Sequence, residues 1–321
     1  MRPARSATSS AAASAMEADA GRALPLGERP VLAAVLGALC IAFSAILVRL
    51  AESEPATVAF YRCAWALPLL GALAWRERRL YGPAGRGSRR LAVLAGVFFG
   101  LDLIAWHHSI EGVGAGLATV LGNLQVVLVG VGAWLALGER PDRRLLVAIP
   151  IVLGGVVLIS GVVGEGAYGD DPALGVLFGV LTAISYAVFI LVLRHAGGDT
   201  RRPAGPLFDA TAAAAVVALV LGFPLGEIDL LPGWEAIAWL VTLALTSQVV
   251  GWLLISVSLP RLPAALTSVL LTIQPVGSVL LGVVLLAEAP SSFQVAGVAV
   301  VLGGILVATL GPQRPRTAPT G

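Results

Sequence analysis

One carboxylate stands in the middle of a long apolar stretch. Asp102 lies 11 residues beyond Leu91, where the stretch begins. That is about 16 Å along a helix, near the middle of a hydrocarbon core of about 30 Å. An ionisable group costs a few kcal/mol at such a depth, which indicates function. Asp102 either exchanges protons or binds a substrate ammonium group, or it is a structural carboxylate that is neutralised by a neighbouring helix or held protonated.

Three other side chains within apolar stretches extend this chemistry. Trp106 follows Asp102 by one helical turn and shares its face, so it either stacks on an organic substrate or belongs to an interfacial aromatic belt. Arg62 either binds a substrate carboxylate or pairs with an acid such as Asp102. His107 either relays protons or is an ordinary hydrogen-bonded residue near the membrane surface.

Uncharged polar side chains form a second candidate group. Gln125 and Gln274 occupy corresponding positions in two similar stretches of the sequence. Their amides suit either a polar solute or helix-to-helix hydrogen bonds of about 0.6 kcal/mol each. Tyr186 and Trp252 are candidates for the same cavity. Asp209 lies close to a helix end, where a solvated role is expected. The uncharged polar group consists of Asn123, Gln125, Ser247, Gln248, Thr272 and Gln274.

Composition excludes an ordinary soluble domain. The chain is 57% hydrophobic and 12% charged, whereas soluble domains carry about 25% charged residues. The solvent for most of its surface is therefore lipid. A net charge of +2 indicates no nucleic-acid partner. The two cysteines lie in apolar runs without metal-ligand spacing, so we expect no metal, no cofactor and no catalytic residues.

Ten apolar segments approach the length of about 20 residues that a helix needs to cross a bilayer. Their backbone must satisfy its own hydrogen bonds in lipid, so each is expected to be a helix. The fold class is thus predicted to be an all-α polytopic membrane protein. The expected spans are Val31–Leu50, Pro55–Trp75, Leu91–Ile110, Gly116–Leu137, Leu145–Val163, Ala173–Arg194, Gly205–Leu225, Ala236–Val257, Pro263–Ala287 and Phe293–Leu310.

Arginine placement orients these spans. With the N-terminus inside, 19 of the 21 arginines fall on inner segments, and the outer loops carry acids instead. The positive-inside rule then places both termini in the cytoplasm. We expect a multi-pass protein of the plasma (inner) membrane, with a disordered tail over 1–28 and a short cytoplasmic tail over 311–321.

A repeat supplies the architecture. Residues 116–158 resemble residues 265–306, and both Gln125 with Gln274 and Glu139 with Glu288 are 149 residues apart. The predicted topology puts the two copies on opposite sides of the membrane, which indicates an inverted repeat of five plus five helices. Inverted repeats supply two exchangeable conformations in many transporters. The alternative is a duplication without mechanistic content.

Four stretches of the chain are distinctive: PATVAFYRCAWALPLL, FGLDLIAWHHSI, GLATVLGNLQVV with LALGERP, and LTSVLLTIQPVGSVLLGVVLLAEAP. In these stretches the chain resembles the drug/metabolite transporter superfamily, in which two EamA domains of five helices form one permease. The resemblance implies a first EamA repeat over 29–163, an outer linker over 164–172 and a second repeat over 173–310. Val126 stands where the second copy has Pro275, so a helix break there is expected only in the ninth span. Ala287 replaces the glycine of the first copy.

These observations favour a secondary transporter, not an enzyme. The predicted activity is alternating-access movement of a small organic metabolite or drug across the plasma membrane, often outward by the resemblance. Protons are a candidate coupling ion, the lipid bilayer is the other partner, and a homodimer stays open. The alternatives are a non-transporting membrane sensor or scaffold, and an intramembrane enzyme for which Asp102 with His107 is a thin basis.

Overall fold

The computed structural model describes residues 29–128, 131, 143–161, 163, 166–196, 201–258, 262, 270–271 and 273–309. Within those ranges the chain forms thirteen α-helices and one π-helical segment, with no β-strand. In chain order they are α1 Pro30–Ala42, α2 Ser44–Leu50, α3 Pro55–Ala64, α4 Leu67–Tyr81, α5 Arg86–Val113, α6 Ala115–Gly122, α7 Arg143–Ile159, α8 Pro172–Ala196, α9 Ala204–Leu225, α10 Trp234–Leu243, the π-helical segment Ala244–Gly251, α11 Trp252–Ser258, α12 Ile273–Leu285 and α13 Ser292–Thr309.

These elements combine into ten apolar segments. Six are long and apolar enough to cross a membrane: Pro30–Leu50, Pro55–Tyr81, Arg86–Val113, Pro172–Leu193, Ala204–Leu225 and Trp234–Ser258. Four described segments are shorter: Ala115–Leu128, Leu146–Ile159, Ile273–Leu285 and Ser292–Ala308. Each lies on a predicted span, so the prediction of a polytopic all-α membrane protein is confirmed.

Helices of the two halves pack against each other throughout. In the described part, α5 lies along α8 and α9, α6 lies on α12, and α7 lies on α13. The closest approaches between helices occur at glycines, which have no side chain. A Cβ on Gly112 of α5 would lie 2.5 Å from the Cα of Gly175 on α8. Such spacing between small residues is typical of helix packing in lipid.

The first span is interrupted in its middle. The helix α1 ends at Ala42 and α2 begins at Ser44. Carbonyls freed at a helix end need new donors, above all inside a membrane. Ser247 supplies one to the carbonyl of Cys40 at 2.8 Å, and Ser278 supplies another to the carbonyl of Ala42 at 2.9 Å. Two helices of the second half therefore stabilise a break in the first.

The fourth span is also interrupted, which corrects the expectation of a break in the ninth span alone. The helix α6 ends at Gly122, and Asn123 and Leu124 form a turn without any proline. The Asn123 side chain donates to the Thr119 carbonyl at 2.8 Å. The amides of Leu124 and Val126 reach back only three residues, at 3.0 and 3.1 Å. A side-chain amide that competes for a helix carbonyl thus ends α6.

The two ends of the helices differ in charge. We call the arginine-rich end the region formed by the last turns of α4, the loop 82–85, the start of α5, the end of α8 and the start of α9. The acidic end is formed by the start of α3, the end of α5, the starts of α6 and α8, and the loops 226–233 and 286–291. The residues of the acidic end include Glu54, Glu111, Asp170, Asp171, Glu227, Asp229 and Glu288.

Candidate substrate site

A small cavity lies between the two halves, midway along the spans. Its volume is about 70 Å³, which holds roughly two waters at about 30 Å³ each. Among the described residues its wall consists of Ile41, Ser44, Arg62, Phe99, Asp102, Leu103, Trp106, Thr119, Gly122, Asn123, Thr182, Tyr186, Trp252 and Gln274. The wall therefore draws on spans 1, 2, 3, 4, 6, 8 and 9.

Seven of the sequence candidates line this cavity: Arg62, Asp102, Trp106, Asn123, Tyr186, Trp252 and Gln274. The structure thus brings together side chains that are as far apart in sequence as Arg62 and Gln274. Asp102 and Trp106 share the wall, as their spacing of one helical turn predicts. Their roles in binding or coupling remain predictions.

Asp102 and Arg62 are the two charged groups of the described wall. They are 6% and 4% exposed, respectively. No ion pair within 4.0 Å joins them in the described structure, so the contact between Arg62 and an acid that the sequence suggested is not formed here. The Nε and Nη1 atoms of Arg62 are buried without a hydrogen-bond partner. Its guanidinium lies 5.8 Å from the centre of the Trp106 ring.

Aromatic rings form one side of the cavity. Phe99 stacks on Phe189 with centroids 4.5 Å apart, and Trp252 meets Phe99 edge-on at 5.9 Å. Tyr186 lies 6.0 Å from Trp252 in another edge contact. Trp252 follows directly on the π-helical segment Ala244–Gly251; π-helical turns are frequent at functional sites. The cavity therefore combines an acidic and a basic side chain with an aromatic face.

Besides Asp209, four described sequence candidates lie away from the cavity wall: His107, Gln125, Ser247 and Gln248. His107 is 1% exposed, and its Nδ1 lies 3.0 Å from the Pro55 carbonyl oxygen. Gln248 donates to the Thr211 hydroxyl at 3.2 Å. Gln125 is buried but does not line the cavity, unlike its symmetry mate Gln274. Thr272 lies outside the described residues.

Sequence reasoning missed several members of the wall. Ser44, Thr119 and Thr182 contribute hydroxyls, and Phe99 contributes a ring. Hydroxyl residues are common in membrane helices because they can bond their own backbone, as Thr119 does to Ala115 at 2.9 Å. The one usable signal is the position of Phe99, three residues before Asp102 on the same helical face.

At the acidic end, a buried carboxylate joins the two halves. Glu288, which is 5% exposed, accepts hydrogen bonds from the amides of Ala115 at 2.6 Å and Gly116 at 3.2 Å. It thus occupies the N-terminus of α6 from the loop that precedes α13. Burial, and then the Glu288 carboxylate, raises the pKa of the neighbouring Tyr168 phenol. Glu139, its counterpart in the repeat, lies outside the described residues.

More contacts at the acidic end cross between the halves. Thr57 donates to the Glu227 carbonyl at 2.6 Å and accepts from the Asp229 amide at 2.8 Å. His108 lies between Glu111 at 3.4 Å and Glu227 at 3.3 Å. The first half is therefore tied to the loop 226–233 by both side-chain and backbone groups.

The arginine-rich end is hollow where the acidic end is packed. A cavity of about 710 Å³ opens there between α4, the loop 82–85, α5, α8 and α9. Asp209 lines it and pairs with Arg89, whose Nε lies 3.2 Å from the carboxylate. The solvated helix-end role expected of Asp209 fits this position.

Comparisons with known proteins agree with the fold. The sequence model of the EamA-like transporter family matches residues 29–161 and 173–310. A protein of Archaeoglobus fulgidus described as an uncharacterized transporter is 24% identical over 287 residues, which cover 89% of this chain and 97% of that protein. A crystal structure of another protein superposes with a TM-score of 0.59 at 19% identity, covering 88% of this chain and 96% of that one. This last similarity concerns the fold alone.

Proposed function

Because the chain belongs to the EamA-like transporter family, we propose that it moves a small zwitterionic organic solute across the plasma membrane by alternating access. One observation carries the choice of solute: an enclosed carboxylate and an enclosed guanidinium share one cavity without forming an ion pair. A solute with both an amino and a carboxylate group complements both. Amino acids are the simplest members of that class.

Energetics support this choice. Isolated charges in a low-dielectric interior cost several kcal/mol each unless a partner compensates them. Asp102 suits an ammonium group, and the free Nε and Nη1 donors of Arg62 suit a carboxylate. Phe99, Tyr186 and Trp252 offer an apolar aromatic face for the solute's side chain. Aromatic and large aliphatic amino acids are therefore the preferred substrates.

The size of the cavity supports alternating access. Sites for small molecules have volumes of about 300–1,000 Å³, whereas this one has about 70 Å³. The walls must separate before a solute enters. They belong to both halves, so a rocking motion of one half against the other enlarges the site and opens it to one side. The hydrogen bonds that the Ala115 and Gly116 amides of α6 donate to Glu288 would hold the acidic end shut in this conformation.

Counterflow in proteoliposomes tests the proposal. Proteoliposomes that contain the full-length protein are loaded with unlabelled phenylalanine, leucine, glutamate or lysine. Entry of the same amino acid in labelled form is then measured. We expect exchange of phenylalanine and leucine by the wild type and a loss of at least about 100-fold in Asp102→Asn, since an ion-paired contact is removed. Asp209→Asn makes the same chemical change at the arginine-rich end and should retain exchange.

Other results would contradict the proposal in distinct ways. No exchange of any of the four amino acids by the wild type would exclude this substrate class. Equal exchange by wild type and Asp102→Asn would remove Asp102 from the site. Exchange of lysine alone would favour an organic cation over a zwitterion.

Proton coupling is part of the same proposal. Asp102 is the only carboxylic acid on the described cavity wall, so it is the candidate proton carrier. Phenylalanine uptake driven by an imposed pH gradient should occur in the wild type and should vanish in Asp102→Asn. Equal uptake with and without the gradient would instead indicate exchange or uniport.

Membrane orientation is proposed from charge. The positive-inside rule places the arginine-rich end in the cytoplasm. Single-cysteine variants are made in a form of the protein that lacks Cys40 and Cys63. In intact cells, a membrane-impermeant maleimide should label Glu111→Cys but not Arg86→Cys. The opposite labelling pattern would invert the proposed topology.

A further inference from the structure

The cavity at the arginine-rich end has a composition unlike that of the central site. Its volume is about 710 Å³. Four arginines line it, together with two acids. Counted as formal charges, the wall carries an excess of two positive charges with its histidine neutral. The charged members of the wall are Glu77, Arg78, Arg86, Arg89, Arg202 and Asp209.

Both acids of this wall are already engaged. Glu77 accepts hydrogen bonds from the amides of Ala204 at 2.9 Å and Gly205 at 2.8 Å. Asp209 pairs with Arg89. The guanidinium groups of Arg78 and Arg86 form no hydrogen bond or ion pair with any residue that the structure describes. Within the described part of the chain, the guanidinium groups of Arg78 and Arg86 are thus available to bind an anion.

The deeper part of the same cavity is apolar. Gly71 and Ala74 lie about 10 and 6 Å from Arg78 along α4, at 1.5 Å per residue, and both line the wall. Trp75 is 59% exposed, and Phe208 of α9 faces the same space. The wall is therefore basic at the membrane surface and apolar toward the hydrocarbon. A small water-soluble anion has no apolar group that could pack against the deeper part of the cavity.

We propose that this cavity binds an anionic phospholipid from the leaflet at the arginine-rich end. The phosphate would lie between Arg78 and Arg86, and an acyl chain would pack along Ala74, Trp75 and Phe208. Basic pockets between membrane helices are suited to anionic headgroups. The lipid would bridge α4 and α5 of the first half to α9 of the second. This proposal does not depend on the solute that the central cavity takes.

Lipid retention by the full-length protein tests it. The delipidated protein in detergent is titrated with dioleoylphosphatidylglycerol or dioleoylphosphatidylcholine, and bound lipid is counted by native mass spectrometry. We expect the wild type to prefer phosphatidylglycerol. The double variant Arg78→Gln/Arg86→Gln should bind it about 10- to 30-fold more weakly, as loss of two basic groups near a membrane surface implies.

A matched control removes the same charge elsewhere. Arg76 and Arg90 are exposed on the same helices but do not line the cavity. The double variant Arg76→Gln/Arg90→Gln should keep binding within about threefold of the wild type, because direct contacts and not net charge set the affinity. Equal weakening in both double variants would overturn the proposal in favour of diffuse surface attraction.

A second variant leaves every charge in place. Ala74→Trp fills the apolar part of the cavity and should weaken phosphatidylglycerol binding about tenfold, the effect of excluding a few buried methylene groups. Unchanged binding in that variant would overturn the placement of the acyl chain. Competition by glycerol 3-phosphate as effective as that of the lipid itself would overturn the assignment to a lipid and point to a soluble phosphate.

Discussion

The same four spans, the second, third, sixth and seventh, meet in different ways at their two ends. At the acidic end α5 touches α8 backbone to backbone at Gly112 and Gly175, and α3 is bonded to the loop after α9. At the arginine-rich end α4, α5, α8 and α9 surround a cavity of about 710 Å³. The difference teaches that these helices diverge along their length, so one end has room that the other lacks.

The polar contacts between the halves are also more buried at the acidic end than at the arginine-rich end. The Glu288 carboxylate at the acidic end is buried on two amides of the other half. At the arginine-rich end the pair of Arg89 and Asp209 has side chains that are 59% and 15% exposed. Buried, charge-assisted bonds depend on exclusion of water, whereas exposed pairs contribute little. Variants that break buried contacts at the acidic end should therefore cost more stability than variants at exposed sites, and the next three predictions test this.

The largest contrast is expected for two glycines. Gly112→Ala places a Cβ 2.5 Å from the Cα of Gly175. Because the clash is with backbone atoms, the helices must move apart, and we expect about 3 kcal/mol of destabilisation. Gly205→Ala, whose new Cβ would meet only Glu77 Oε2 at 3.7 Å, should range from no change to a gain of about 1 kcal/mol. Thermal unfolding in detergent measures both. Equal losses would mean that the two ends are packed alike.

A smaller contrast is expected for two glutamates. Glu288→Ala removes both acceptors from the amides of Ala115 and Gly116, which should cost about 2 kcal/mol. Glu235→Ala, an exposed residue in the first turn of α10, should cost less than about 1 kcal/mol. The unfolding temperatures of the two variants, each compared with that of the wild type, measure this difference in stability. A loss confined to Glu235→Ala would show that the contact of Glu288 with α6 does not hold the halves together.

The smallest effect is expected for the ion pair at the arginine-rich end. Arg89→Gln should change stability by less than about 1 kcal/mol, because exposed pairs are screened by water and salt. The difference from the wild type should shrink further in about 1 M salt, where the Debye length is about 3 Å. A salt-independent loss of about 3 kcal/mol would show instead that this end is as tightly joined as the acidic one.

Sequence reasoning found the fold and much of the central wall for one physical reason. Polar groups are costly in lipid, so Asp102, Arg62, Asn123 and Gln274 stand out from their apolar neighbours. The same reasoning could not separate Gln274, which lines the cavity, from Gln125, which does not. Which of the two glutamines faces the cavity depends on packing between the halves, which local sequence does not record.

Irregular backbone was also beyond the sequence. The absence of proline suggested an unbroken fourth span, yet Asn123 ends α6 through its own side chain. Nothing local signalled the π-helical segment Ala244–Gly251. Partners far away in the chain stabilise such features, as Ser247 and Ser278 do for the break in the first span. Hydropathy records only how apolar a segment is.

One residue beside Glu288 has a consequence for the cost of moving this loop. Ala287 has a φ of 52°, in the left-handed region that costs a non-glycine residue roughly 1–2 kcal/mol. A glycine, the residue type that the first copy has at position 138, would carry no such penalty in this conformation. In the proposed alternating-access cycle, relaxation of the loop would recover that conformational energy and offset part of the loss of the two hydrogen bonds from α6. The alanine would then make the loop easier to detach than a glycine would, so that one methyl group tunes the balance between the two proposed states.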